Sequence, residues 1–162
     1  MPRVLITGSF DPVTIGHEDV IRRAAATFDD VRVVVFINPE KQGMFTPEER
    51  VALLRAATAK YPAVTVDFDT GYVVDYVKRE GITLILRSLR GASDLAYEMQ
   101  MAEYNRTHGG IETVLLSGDP ALTEISSSEV RRRITEGLPY RALLPAEICD
   151  EVEKIVKNRM AK

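Results

Sequence analysis

The sequence predicts an α/β protein: a single-domain, Rossmann-like, doubly wound sheet of five parallel strands with helices on both faces. Short β-branched and apolar runs alternate five times with longer amphipathic runs, and such alternation requires parallel strands joined by helical crossovers. The 162 residues suffice for one domain with a real core and are too few for two, so residues 1–162 read as one domain. No internal repeat, low-complexity segment or linker interrupts the alternation.

The elements follow in order. Residues 4–6, Val-Leu-Ile, read as a buried first strand, and residues 18–28 as the first helix. Gly8, Asp11-Pro12 and Gly16 punctuate the turn between them, with Thr14 as a candidate N-cap. Residues 31–37 are strongly β-branched and predict the second strand, which ends in a loop over 38–43. Thr46-Pro47-Glu48-Glu49 combines a Thr cap, a first-turn Pro and a Glu three residues after the cap, which starts a helix running to about residue 60. Residues 64–68 predict a third strand and 72–80 a short helix closed by Gly81. Residues 83–86 predict a fourth strand leading into Arg87-Ser88-Leu89-Arg90-Gly91, followed by a long helix over 94–108 on which Met99, Met101 and Ala102 read mainly as core. Residues 113–116 predict the fifth strand. A loop over 117–125, a helix opened by Ser126-Ser127-Ser128, a turn bracketed by Pro139 and Pro145 and a last helix over 146–160 complete the chain.

Composition narrows the function classes. Apolar residues make up 45% and charged residues 28%, and no apolar run reaches the ~20 residues that span a membrane. Met1-Pro2-Arg3 leads into a strand without a signal-peptide pattern. The single cysteine, Cys149, excludes an internal disulfide and a Cys-based metal site. These features predict a protein of the reducing cytoplasm. A net charge of −3 gives no general electrostatic case for nucleic acid or an anionic membrane, so any anion site must be built locally.

Such a site is expected at the carboxyl ends of the strands, where open α/β sheets bind ligands. The stretch Gly8-Ser9-Phe10-Asp11-Pro12-Val13-Thr14-Ile15-Gly16-His17 is a strand-to-helix turn whose glycines let backbone approach a ligand. The following helix start offers amides to an anion, and His17 stands beside it. Neither Gly-x-Gly-x-x-Gly nor Gly-Lys-Ser/Thr is present, which excludes the dinucleotide fingerprint and the P-loop. Lys41 follows the second strand. Arg87 and Arg90 follow the fourth, where a guanidinium suits phosphate, or an ion pair with Asp94 or Glu98. Ser126, Ser127 and Ser128 offer a cap and free amides, with Arg131 one turn on.

Thr14-Ile15-Gly16-His17 resembles the T/H-x-G-H signature of the nucleotidyltransferase superfamily. Taken with Asn38-Pro39 to Lys41, Met44-Phe45-Thr46, Arg87 to Arg90, Tyr97 to Met101, Asn105 and Ile125 to Ser128, nearly the whole chain resembles bacterial phosphopantetheine adenylyltransferase. Ser88 and the stretches 91–96 and 120–124 depart from the common pattern. The resemblance implies adenylyl transfer from ATP to 4′-phosphopantetheine with Mg²⁺, in a homohexamer formed as a dimer of trimers. It implies that His17, Lys41 and Arg87 are catalytic. It places Ser9, Phe10, His17, Arg90, Glu98 and Ser126 to Ser128 on ATP. It places Ser9, Lys41, Tyr72, Val73, Val74, Arg87, Met101 and Asn105 on the acceptor. The alternatives are another small nucleotidyltransferase, acting on nicotinamide mononucleotide or carrying cytidylyl groups, and a non-catalytic ATP-binding sensor.

Overall fold

The computed structural model describes residues 2–161. Five strands form one parallel sheet: β1 (Val4–Gly8), β2 (Val31–Phe36), β3 (Val64–Asp69), β4 (Leu84–Leu89) and β5 (Glu112–Ser117), in the order β3-β2-β1-β4-β5. The helices are α1 (Ile15–Ala25), α2 (Pro47–Thr58), α3 (Val73–Glu80), α4 (Ala92–Gly109), α5 (Ser127–Glu136) and α6 (Cys149–Met160). The expected doubly wound architecture is present.

The alternation of side chains along each strand divides the core between the two faces. Val4, Ile6, Val31, Val33 and Val35 pack beneath Ile21 of α1, Leu54 of α2, Val130 of α5 and Val152 of α6. Leu5, Val34 and Ile85 face the other way and meet Tyr76 and Val77 of α3. Helix α4 lies on this second face, against α3, β4 and β5. Helices α1, α2, α5 and α6 thus cover one face, and α3 and α4 cover the other.

The switch point lies at β1, whose neighbours are β2 on one side and β4 on the other. Strand β1 pairs with β2 along its whole length, but with β4 only at Val4↔Leu84 and Leu5↔Ile85. Beyond that point β1 and β4 part, and the crevice between their carboxyl ends is open to a ligand.

Several boundaries differ from the sequence expectation. Strand β4 continues through Arg87 and Ser88 to Leu89, because the ladder with β5 extends to Arg87↔Leu115, Ser88↔Leu116 and Leu89↔Ser117. Arg87 is therefore a strand residue held rigidly at the crevice. Helix α1 starts three residues earlier than expected, at Ile15. A 3-10 turn over Pro120–Leu122 occupies the loop after β5, and another over Ala146–Ile148 takes the place of the first turn expected for α6. Met99 is not core: it is 59% exposed, as are Tyr97 at 59% and Tyr104 at 47%. The apolar residues of α4 are spread around the helix, so their presence did not define a buried face.

Candidate active site

The turn from Gly8 to His17 is held by its own side chains. Phe10 is 2% exposed and takes a left-handed backbone conformation, φ 45°, which non-glycine residues rarely adopt. Its ring lies over Gly8, where an added Cβ would sit 3.1 Å from the ring, and its edge meets the His17 ring at 5.0 Å between centroids. Thr14 caps α1, and His17 occupies the position that a Glu or Gln fills in a capping box. The Thr14 N–H donates to His17 Nδ1 at 3.0 Å. Nδ1 is thus an acceptor, and the neutral imidazole carries its proton on Nε2. Burial, with a smaller contribution from the Arg90 charge, lowers the His17 pKa from 6.5 to about 4. At neutral pH His17 is a neutral hydrogen-bond donor.

A cavity of about 380 Å³ fills the crevice at this turn. Ser9, Phe10, His17, Arg87, Arg90, Ser126, Ser127 and Ser128 all line it, so most of the residues expected from sequence come together there. The three serines have separate tasks. Ser126 Oγ accepts the Glu129 N–H at 3.1 Å and caps α5. Ser127 Oγ donates to the Pro12 carbonyl at 2.7 Å and joins α5 to the first turn. Ser128 Oγ accepts from Arg131 Nη2 at 3.1 Å. Two helix N-termini, of α1 and α5, therefore converge on one cavity wall with His17, Arg90 and Arg131 around them, which is an arrangement for an anion.

A second cavity, of about 240 Å³, lies on the face covered by α3 and α4. Tyr72, Val73, Val74, Met101 and Asn105 line it, as does Glu98, which the sequence reading set on the nucleotide side. Arg87 and Thr7 line both cavities. Arg87 Nε and Nη2 donate to the two carboxylate oxygens of Glu98, at 3.0 and 2.9 Å, and Nη1 donates to Thr7 Oγ1 at 3.4 Å. Glu98 is 6% exposed, while the Arg87 side chain keeps 34% of its exposure toward the cavities. The bidentate pair fixes the guanidinium at the junction and leaves two of its five N–H donors for a ligand. The ion pair weighed against function from sequence alone is thus real, and it positions Arg87 rather than removing it from the site. Arg90 has its pair too, with Asp94 at 3.8 Å, but this side chain remains 56% exposed.

Lys41 behaves differently. It sits in the exposed stretch 38–42 and lines neither cavity. Sequence reasoning also passed over Thr7, whose place between the cavities is visible only once β1 and β4 are seen to part. It treated Asp11 as turn punctuation, although this carboxylate is 6% exposed and accepts two backbone N–H groups from residues 44 and 45.

A parallel sheet with order 3-2-1-4-5 has a crevice at its switch point, and two helix N-termini meet there in an arrangement that suits an anion. A family model of cytidylyltransferase-like proteins matches residues 5–133, from β1 into α5, and so takes in the walls of both cavities. The chain belongs to that family, and the match supports a nucleotidyltransferase. No helix among the described residues is long and apolar enough to cross a membrane.

Proposed function

We propose that the protein transfers the adenylyl group of ATP to 4′-phosphopantetheine, giving dephospho-coenzyme A and pyrophosphate, a step of coenzyme A biosynthesis. The observation that carries this reading is the pair of cavities meeting at Arg87. One is lined by helix N-termini and hydroxyls and suits a nucleotide triphosphate. The other combines apolar walls from Val73, Val74 and Met101 with Asn105, and suits a long arm containing amides. Asn105 is 8% exposed, and its amide offers both a donor and acceptors to such an arm. The family match supports nucleotidyl transfer, and the chain-wide motif resemblance supports this donor and acceptor.

In this reading an oxygen of the acceptor phosphate attacks the α-phosphorus of ATP. A P–O bond forms, the bond between the α-phosphorus and the bridging oxygen breaks, and pyrophosphate leaves with the electron pair. The nucleophile is already anionic, so no general base is needed, and the barrier is the approach of two anions. His17 Nε2–H donates to the α-phosphate as its charge builds. Arg90 and the amide ends of α1 and α5 hold the triphosphate. Arg87 takes the acceptor phosphate, with Ser9 beside it, and the family resemblance adds Lys41 from a loop that lines neither cavity. This is catalysis by positioning and preorganised charge.

Among the described residues no three His, Cys, Asp or Glu side chains form a metal-holding group, and Asp19 in the first cavity wall is tied to Arg22 and Arg23. Magnesium fits this donor set as a companion of the triphosphate, held mainly by substrate oxygens and water, where it supplies charge neutralisation. A homohexamer belongs to the same proposal. The bare apolar side chains Leu95, Tyr97, Met99 and Tyr104 of α4 support burial against another copy, and a monomer by light scattering at micromolar concentration would remove that part alone.

The deciding experiment mixes the protein with Mg²⁺, 4′-phosphopantetheine and ATP, or CTP in its place, and measures pyrophosphate. Release with ATP and acceptor together supports the reading. Release with CTP alone among the nucleotides, or none at all with this acceptor, overturns it.

A further inference from the structure

Asp11 lines neither cavity, yet it ties the loop after β2, α2 and α5 to the first turn. Its Oδ2 accepts the Met44 N–H at 3.0 Å, and its Oδ1 accepts the Phe45 N–H at 2.8 Å. Arg50 Nε lies 3.4 Å from Oδ1 and donates to the Phe45 carbonyl at 2.9 Å. Arg131 of α5 donates to the Asp11 main-chain carbonyl at 2.7 Å and stands 3.8 Å from Oδ2. Asp11 and Arg50 are 6% and 7% exposed. A buried carboxylate is costly to desolvate, and here its charge is met by two amides and two guanidiniums. Gly43 permits the arrangement, because a Cβ there would lie 1.7 Å from Arg50 Nη2 and 2.8 Å from Asp11 Oδ2.

The loop carrying Lys41 thus has one end fixed to the first turn through Asp11. The turn itself carries Phe10 and leads to His17, and Ser127 and Arg131 join it to α5. We propose that Asp11 is a positioning residue that sets the Lys41 loop in register with the nucleotide-binding turn, so that the acceptor phosphate and the α-phosphate are aligned. The alignment clause rests on the proposed function; the setting of the loop does not.

The test uses the full chain and Asp11→Asn. An amide keeps the size, but its NH₂ confronts one of the two backbone N–H groups, and the charge facing Arg50 and Arg131 is gone. Tryptic cleavage after Lys41 under native conditions should rise roughly 10- to 100-fold, the loss expected for one charge-assisted bond. Dissociation of ATP should change little, while kcat/KM for the acceptor falls by a similar factor. In a Lys41→Ala background Asp11→Asn should cost much less, because the two substitutions then remove the same contact. Unchanged cleavage at Lys41 overturns the proposal. So does a fall in ATP affinity equal to the fall for the acceptor, or full additivity with Lys41→Ala, since either marks a merely structural residue. If Asp11→Asn does not fold, hydrogen exchange of the Met44 and Phe45 amides in the unaltered protein decides: protection well above that of Lys41 and Gln42 supports the setting of the loop, and exchange as fast as theirs overturns it. If the unaltered protein shows no transfer with this acceptor, the function fails, and cleavage at Lys41 still decides the setting of the loop.

Discussion

The two cavities are built on opposite principles. The first is walled by backbone and short side chains that hold each other: Thr14 on His17, Phe10 over Gly8, Ser127 on Pro12 and Arg131 on Asp11. Its floor is the large core beneath four helices. The second is walled by α3, α4 and the residue before α3, and Tyr72, Tyr97 and Tyr104 there are 77%, 59% and 47% exposed, over a much smaller core. A triphosphate needs donors at fixed places, because its charge density makes electrostatic stabilisation sensitive to small displacements. A flexible arm needs area and a few polar contacts, and tolerates a more open wall. The contrast teaches that precision is concentrated where charge moves.

The contrast can be broken most forcefully at His17. His17→Ala should lower turnover by ~10²–10³ with the fold intact, because the lost donor faces charge that develops during transfer. Steady-state rates beside a circular-dichroism melt check this, and near-normal turnover of a folded variant would remove His17 from the chemistry.

Arg87→Lys tests the junction. A lysine keeps the charge but cannot bridge Glu98 and still reach a ligand as a fork does. The expected loss is roughly 10- to 100-fold in kcat/KM for the acceptor, in line with one charge-assisted bond of about 1.5–3 kcal/mol, with ATP affinity little changed. An equal loss of ATP affinity would show that Arg87 serves both cavities.

Lys41→Ala separates the halves. Calorimetric titration should show 4′-phosphopantetheine binding weakened by about 10-fold, as for one exposed charge-assisted contact, with ATP little changed. The opposite pattern would mean that the loop serves the nucleotide. If neither ligand is affected and turnover is normal, Lys41 is a solvated loop lysine.

The smallest effect concerns pH. The His17 pKa is lowered from 6.5 to about 4 on folding, mainly by burial. Between those values the unfolded chain binds a proton that the folded chain does not. This contribution to stability is therefore complete above pH 6.5, falls as the pH drops, and levels off near 4. Gln fits the same place in the capping box and does not titrate. Urea unfolding at pH 7 and pH 5 should show a smaller pH difference for His17→Gln than for the unaltered protein. Equal differences would mean that His17 is more hydrated than its burial implies.

What was legible from sequence follows from the range of the interactions concerned. Strands and helices were readable because Val31 to Val35, or Thr46 to Glu49, carry their signals within a few neighbouring residues. The end of β4 was not, because Arg87 and Ser88 are drawn into strand by β5, some thirty residues further on. Met99 was misjudged because α4 has no single apolar stripe, so composition could not say which side was covered. The turn, His17 and the three serines could be placed at the crevice because glycine punctuation and helix caps are local. Thr7 and Asp11 were missed because their roles depend on where strands part and on what a loop 33 or 34 residues away donates.

Gly43 lets folding and chemistry be told apart within one short loop. Any side chain at 43 would collide with a buried guanidinium, whereas Lys41 and Gln42 are exposed. In a complete survey of single replacements, position 43 should therefore be intolerant already when only soluble, folded protein is scored. Position 41 should accept almost anything on that score and become restrictive only when growth depends on the enzyme. Two positions separated by a single residue would then carry different kinds of selection, one imposed by van der Waals radii and the other by a substrate.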